Sequence, residues 1–193
     1  MEREKISIGK ISINSPVILG FTFLCFLAMI IDQLSRGMAN QFLFSVYRSS
    51  LTDPLAYIRI FLHVIGHSGW DHFSGNITLI LLIGPLLEEK YGALNLVLVM
   101  ILTALLTGII NILIFPNVAL IGASGIVYAL IVLSSFTGEK DRIPLTFILV
   151  FVIYIGAQVY DGIFIQDNIS NLTHIVGGLI GGGFGFLFNK KMN

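Results

Sequence analysis

The chain has 193 residues, 55% of them hydrophobic and only 11% charged, with eleven basic and eleven acidic side chains in balance. Soluble domains carry roughly 25% charged residues, so this composition excludes a soluble protein and points to an integral membrane one. A net charge of zero gives no basis for nucleic-acid binding, and a lone cysteine, Cys25, in an apolar run excludes a disulfide within the chain.

Residues 1–15 read as a cytoplasmic N-terminal segment. The first apolar stretch starts at Pro16 and lacks a small-residue cleavage signal, so it reads as a retained span rather than a signal peptide. Six segments can cross a bilayer: 16–32, 72–88, 94–114, 122–137, 143–160 and 172–188. Each is near the roughly 17–25 residues that a spanning helix needs. The fourth is short, which is tolerable where protein rather than lipid surrounds it. The expectation is one all-α membrane domain over 16–188, a six-helix transmembrane bundle, with a cytoplasmic tail at 189–193. The long connection 33–71 mixes Phe42, Phe44, Val46 and Tyr47 with Arg36, Arg48 and Arg59, and reads as a partly helical insertion in the interface. The other links are short, and those at 88–92 and 138–142 are hydrophilic turns.

Orientation follows from lysine and arginine. With the N-terminus inside, Arg3, Lys5, Lys10, Lys90, Lys140, Arg142, Lys190 and Lys191 lie inside, against Arg36, Arg48 and Arg59 outside. Eight against three favours both termini in the cytoplasm. Spans two, four and six then all run from outside to inside. His72 and Asn76 begin the second, Ser124 the fourth and His174 the sixth. Parity alone therefore predicts these four side chains at similar depth in the outer leaflet.

Polar groups at that depth ask for a functional reason. Taken alone, Ser124 reads as a serine bonded back to its own helix, and His174 as an interhelical hydrogen bond. Together they are a nucleophile and the base that can activate it. Gly177 and Gly181 share one face of span six, as do Gly178 and Gly182, and Gly122, Ala123, Gly125 and Ala129 line span four. Two such smooth helices can approach closely and bring Ser124 to His174. Gly122 and Gly125 would also expose the serine hydroxyl and nearby N–H groups at a helix start. His72 and Asn76, four apart, share a face and can both donate to an oxyanion. Three matches to glycosylation sequons, at Asn76, Asn168 and Asn171, are discounted because two fall in or at predicted spans. His63, His67 and His72 do not make a helical zinc-protease motif, because Val64-Ile65-Gly66 offers no glutamate.

These residues resemble the rhomboid intramembrane serine proteases in their minimal six-helix form, over nearly the whole chain. His63-x3-His67-x4-His72-x3-Asn76 is similar to the family's histidine-rich start of the second helix. Gly122-Ala123-Ser124-Gly125 resembles its GxSG motif, His174-Ile-Val-Gly177-x3-Gly181 its catalytic-histidine helix, and Gly84-x3-Glu88-x3-Gly92 its pattern at the end of the second helix. The resemblance implies a Ser–His dyad without an acidic third member. Ser124 would be the nucleophile and His174 the base and then the acid. The Ser124 N–H, His72 and Asn76 would form the oxyanion hole. By the same resemblance Tyr128 would stack on the histidine, and Gly122, Gly125, Gly177, Gly181, His63, His67, Arg59 and Glu88 would support the site. Arg59 matches the arginine of a first-loop Trp-Arg pair, although Ile58 stands where tryptophan is usual.

The activity so implied is cleavage of single-span membrane proteins in or near their outer segment, with no cofactor, no metal and no nucleic-acid partner. Span five, with Tyr154, Gly156 and Gln158, and the 161–171 link would be the moving gate and cap. A compact chain without extra domains suits a bacterial plasma membrane. Two other readings stay open at this point: a catalytically silent relative that binds membrane clients, and a small polar-cavity transporter.

Overall fold

The computed structural model describes residues 6–8, 11–136, 142–164 and 171–191. The segment before the first span, where Ile and Ser alternate on either side of Gly9-Lys10, carries regular structure. Ile6–Ile8 (β1) and Ile11–Ile13 (β2) pair as a short antiparallel hairpin. The other regular elements of the described chain are helices, joined by irregular stretches such as 45–53 and 115–123. Helices run at Pro16–Leu34 (α1), Pro54–Leu62 (α2), Trp70–Tyr91 (α3), Ala93–Ile114 (α4) and Ser124–Ser134 (α5). They continue as Leu145–Val150 (α6), Gly156–Phe164 (α7) and Asn171–Lys191 (α8). A π-helical stretch, Phe151–Ile155, joins α6 to α7, so the fifth expected span is one helix with a wide turn in its middle.

The result is an all-α membrane bundle whose six principal helices follow the six expected spans. By length and composition, α1, α4, the α6–α7 helix and α8 can each cross a membrane. Helix α3 is long enough but carries Asp71, Glu88, Glu89 and Lys90 near its ends. Helix α5 is the short one, eleven residues, and it is the centre of the fold. Gly125, Ile126, Val127 and Ala129 through Leu133 are all buried, so protein surrounds it almost completely. A short helix is stable there because its ends are met by neighbouring chain rather than by lipid. The turn at 138–141 and most of the expected cap, 165–170, lie outside the described residues.

Helix α1 starts with Pro16, and Ser15 gives it no side-chain cap. The cap comes from another helix. Glu88, fully buried near the end of α3, accepts the Val17 N–H at 3.1 Å and the Ile18 N–H at 3.0 Å, one on each carboxylate oxygen. The first N–H groups of a helix lack internal partners and carry its positive end, so a buried carboxylate satisfies both needs there. The chain then reverses at Gly92 (φ +88°) into α4.

The 33–71 connection is partly helical, as expected, and is tied down at several points. Its π-helical turn Asn40–Phe44 is held by Asp32, which accepts the Asn40 N–H at 2.8 Å, while the Asn40 amide donates to the His67 carbonyl at 2.8 Å. Val46 forms an antiparallel bridge with Leu120. Arg48 donates to the carbonyls of Ile112 (3.0 Å) and Leu113 (3.1 Å) at the end of α4. Arg59, buried, pairs with Asp53 and donates to Phe42 O (3.2 Å) and Ser49 Oγ (3.1 Å). Its guanidinium also lies 4.5 Å from the Tyr47 ring centre, whereas Ile58 is exposed. Tyr47 thus supplies the aromatic face beside Arg59 that position 58 does not.

The closest helix pair is α5 with α8. A methyl group placed on Gly177 would collide with the Gly125 carbonyl oxygen, and one on Gly181 with the Ala129 carbonyl oxygen. The two backbones are therefore in direct contact along a glycine face. Gly181→Ala should lower the midpoint of thermal unfolding in detergent micelles, because the clash is with backbone that cannot turn aside. Gly183→Ala, on the same helix but open around the missing Cβ, should leave the midpoint unchanged or slightly raised.

Candidate active site

Ser124 is the first residue of α5, and the chain enters it through Gly122 at φ +125°. L side chains rarely adopt that backbone conformation. Space excludes them as well: a Cβ at Gly122 would lie 2.5 Å from His72 Cε1 and 2.6 Å from Nε2. The Gly122 N–H donates to the His63 carbonyl at 2.9 Å, which fixes the entry to α5 from the α2 side. Ser124 itself is half-buried, so its hydroxyl is reachable.

The contact of α5 with α8 brings the serine to the histidine. Ser124 Oγ lies 2.8 Å from His174 Nε2, on residues fifty apart in sequence. On the other side of the ring, His174 Nδ1 lies 2.6 Å from Gln158 Oε1 on α7. Tyr128, one turn beyond Ser124, stacks on the imidazole with centroids 4.5 Å apart and planes 7° from parallel. An amide oxygen can only accept, so Nδ1 carries the proton and Nε2 presents its lone pair to the serine hydroxyl. In that tautomer Nε2 can take the Oγ proton.

A third element faces the same place. His72, on the first turn of α3, accepts at Nδ1 from the Ser68 N–H at 3.5 Å and lies 3.0 Å from Ser68 Oγ. A backbone N–H can only donate, so the neutral ring holds its proton on Nε2, the atom beside Gly122. Asn76 is one turn further along the same face. Its Nδ2 is buried and has no hydrogen-bond partner among the described residues. Thr22 Oγ1 and Tyr91 Oη are likewise unmet, so it is the place of this donor, on the His72 face of α3, that suits it to meet an acceptor. The Ser124 N–H, at a helix start, is a further donor. Together these groups can take up negative charge developing next to Ser124.

Ser124, His174, Tyr128, Gly125 and Gly177 thus come together, with His72 against Gly122 and Asn76 on the same α3 face. His67 meets the edge of His72, ring centres 5.1 Å apart, and His63 bonds Ile60 O (2.9 Å) and Thr107 Oγ1 (3.2 Å). Gly181 sits further down the α5–α8 contact. Arg59 and Glu88 anchor the connection and α1 rather than touching Ser124. Two polar residues with direct contacts to the site residues were not assigned those contacts from sequence. Gln158 was visible as a polar side chain in an apolar span, a signal that could have found it. Ser68 carries no such signal.

A family model for the Rhomboid domain matches residues 54–191, which include every site residue above. The chain belongs to the rhomboid family. It is similar to "Rhomboid-related protein 1" of Caenorhabditis elegans, 29% identical over 131 residues, covering 63% of this chain and 37% of that protein. It is likewise similar to "Rhomboid-related protein 2" of Mus musculus, 27% identical over 157 residues, covering 70% of this chain and 52% of that one. The chain therefore spans between a third and about half of the length of these relatives. The rhomboid match opens at Pro54, the first residue of α2, so Arg59, the histidine-bearing segment and α3–α8 fall inside it, while the Arg59 partners Asp53, Ser49, Phe42 and Tyr47 precede it.

Two rhomboid-site neighbours set an acid limit on the fold. Burial pushes His63 down to about 4 against opposing backbone hydrogen bonds, and burial with the nearby His72 pushes His67 down to about 4. Above about pH 6.5 both are neutral, folded or unfolded, and contribute no pH dependence. Between about 6.5 and 4 the unfolded chain binds protons that the folded one refuses, so stability falls as pH falls. The thermal midpoint in micelles should be lower at pH 5 than at pH 7.5. The gap should narrow in His67→Gln, and an equal gap in that variant would contradict the assignment.

Proposed function

We propose that this protein is an intramembrane serine endopeptidase that cleaves single-span membrane proteins in or near their outer segment. The observation that carries the reading is the 2.8 Å contact of Ser124 Oγ with His174 Nε2, on a ring whose Nδ1 faces the Gln158 amide oxygen. Family membership supports the same class of chemistry.

In this reading Ser124 Oγ attacks the scissile carbonyl carbon as its proton passes to His174 Nε2. The carbonyl oxygen becomes an oxyanion, met by His72 Nε2–H, the Asn76 amide and the Ser124 N–H. Removing one such donor typically costs about 10²–10³ in rate. The His174 proton then goes to the leaving amine as the C–N bond breaks, and water, activated by the same nitrogen, releases the acyl group from Ser124. Tyr128 holds the ring plane through these transfers. An intact helix protects its peptide bonds with hydrogen bonds, so the segment cut should contain helix-weakening residues. The balance of lysine and arginine supports cytoplasmic termini and a site open to the outer side of the plasma membrane.

The test is co-expression with a panel of tagged single-span proteins. Wild type should release a soluble fragment from at least one of them, and Ser124→Ala and His174→Ala should not. His72→Ala and Asn76→Ala should each slow release about 10²–10³-fold. Identical fragments from wild type and Ser124→Ala would end the protease reading and favour a silent client-binding role.

A further inference from the structure

We propose that Gln158 is the positioning residue that makes His174 a base, doing with a neutral amide what a carboxylate does in soluble serine-protease triads. This rests on the reading of Ser124 and His174 as nucleophile and base. Gln158 is the one buried residue of α7, 8% exposed, while its neighbours Val159 and Tyr160 are 44% and 59% exposed. The α6–α7 helix is also the least buried of the long apolar helices, with 11% of its most apolar window covered against 61% for α8. In such a helix the cheapest inward residue would be apolar. An amide turned inward costs free energy unless its hydrogen bonds are met. The bond it makes is to His174 Nδ1, at 2.6 Å.

The two ends of that amide have opposite consequences. With Oε1 towards the ring, Nδ1 must hold the proton and Nε2 is free to accept from Ser124. With the NH₂ end towards the ring, Nδ1 would have to accept, the proton would sit on Nε2, and Ser124 would face a donor instead of a base. Tyr128 fixes the plane of the ring, and Gln158 fixes which nitrogen is protonated and how the ring is turned within that plane. When Nε2 takes the serine proton, Nδ1–H still donates to Oε1, whose dipole steadies the imidazolium. A buried carboxylate would do this more strongly, but a lone charge at membrane depth is costly. The amide orients the base without burying a charge.

The chain has four histidines, so ring ¹⁵N signals of histidine-labelled protein in micelles can be assigned to His174 by their loss in His174→Gln. Wild type should show Nδ1 protonated and Nε2 bare. Gln158→Met, similar in length but without an acceptor, should shift His174 towards the Nε2–H form. It should lower kcat by about tenfold or more, part of the about 10²–10⁴ that a positioned base contributes, with KM within about twofold. Gln158→Glu, which keeps the acceptor, should keep Nδ1 protonated and recover most of kcat. If Gln158→Met folds poorly, the Gln158→Glu spectrum decides by itself. Unchanged His174 signals and unchanged kcat in Gln158→Met, or loss of Nδ1 protonation in Gln158→Glu, would overturn the proposal. A wild type without Ser124-dependent cleavage would instead sink the protease reading, and the tautomer measurement would still report on Gln158.

Discussion

The backbone contact between α5 and α8 is the constraint on which the rest depends. Gly177 meets the Gly125 carbonyl and Gly181 meets the Ala129 carbonyl, one turn apart on each helix. Lipid is as apolar as the helix surfaces it would cover, so a membrane bundle gains little from hiding leucine. It gains from close packing instead. That closeness sets the depth and separation of the first residue of α5 and the fourth of α8, and so the 2.8 Å between Ser124 and His174. Larger residues at the two glycines would hold the helices further apart and open that hydrogen bond. Helices α3, α4 and α6 pack on the rest of α5, and so protein encloses most of this eleven-residue helix.

Around this contact several polar groups at membrane depth are met from neighbouring helices or from their own. Glu88 meets two N–H groups of α1, and Gln158 meets His174 Nδ1. Thr103 and Thr107 bond back to carbonyls of their own helix α4. Not all are met, and Asn76 Nδ2 is one of those left without a partner among the described residues. It lies on the α3 face that also carries His72, whose Nε2 proton is left facing Gly122. Its place on that face, rather than its being unmet, sets it apart from Thr22 Oγ1 and Tyr91 Oη, which also lack partners among the described residues.

Much of this was legible in the residues themselves, and the reasons differ from case to case. Six apolar stretches and their parity placed His72, Asn76, Ser124 and His174 at one end before any contact was known. The pairs Gly177/Gly181 and Gly125/Ala129 pointed to the α5–α8 contact because i, i+4 spacing is a helix face. Span boundaries were less legible, since α3 and α8 continue as helix past their last apolar turn. The short length of α5 could be read, but not that protein would enclose it. The β1–β2 hairpin has a signal of its own, Ile-Ser-Ile on either side of Gly9-Lys10, but a reading for apolar spans does not register so short an alternation. The π-helical stretch in the fifth span leaves no mark in a run of Phe, Val, Ile and Tyr. Gln158 was visible as an oddity, but its partner is a matter of tertiary distance. Tyr47 beside Arg59 could not be foreseen, because the irregular stretch 48–53 separates Tyr47 from the helix that carries Arg59.

The central claim is that contact with His174 makes Ser124 a nucleophile. The most direct measurement is reaction of the purified protein with an alkyl fluorophosphonate, with the adduct mapped by mass spectrometry after digestion. The account predicts one adduct, on Ser124, formed by the wild type and absent from His174→Ala. An adduct on another residue, or equal labelling of Ser124 with and without His174, would contradict it.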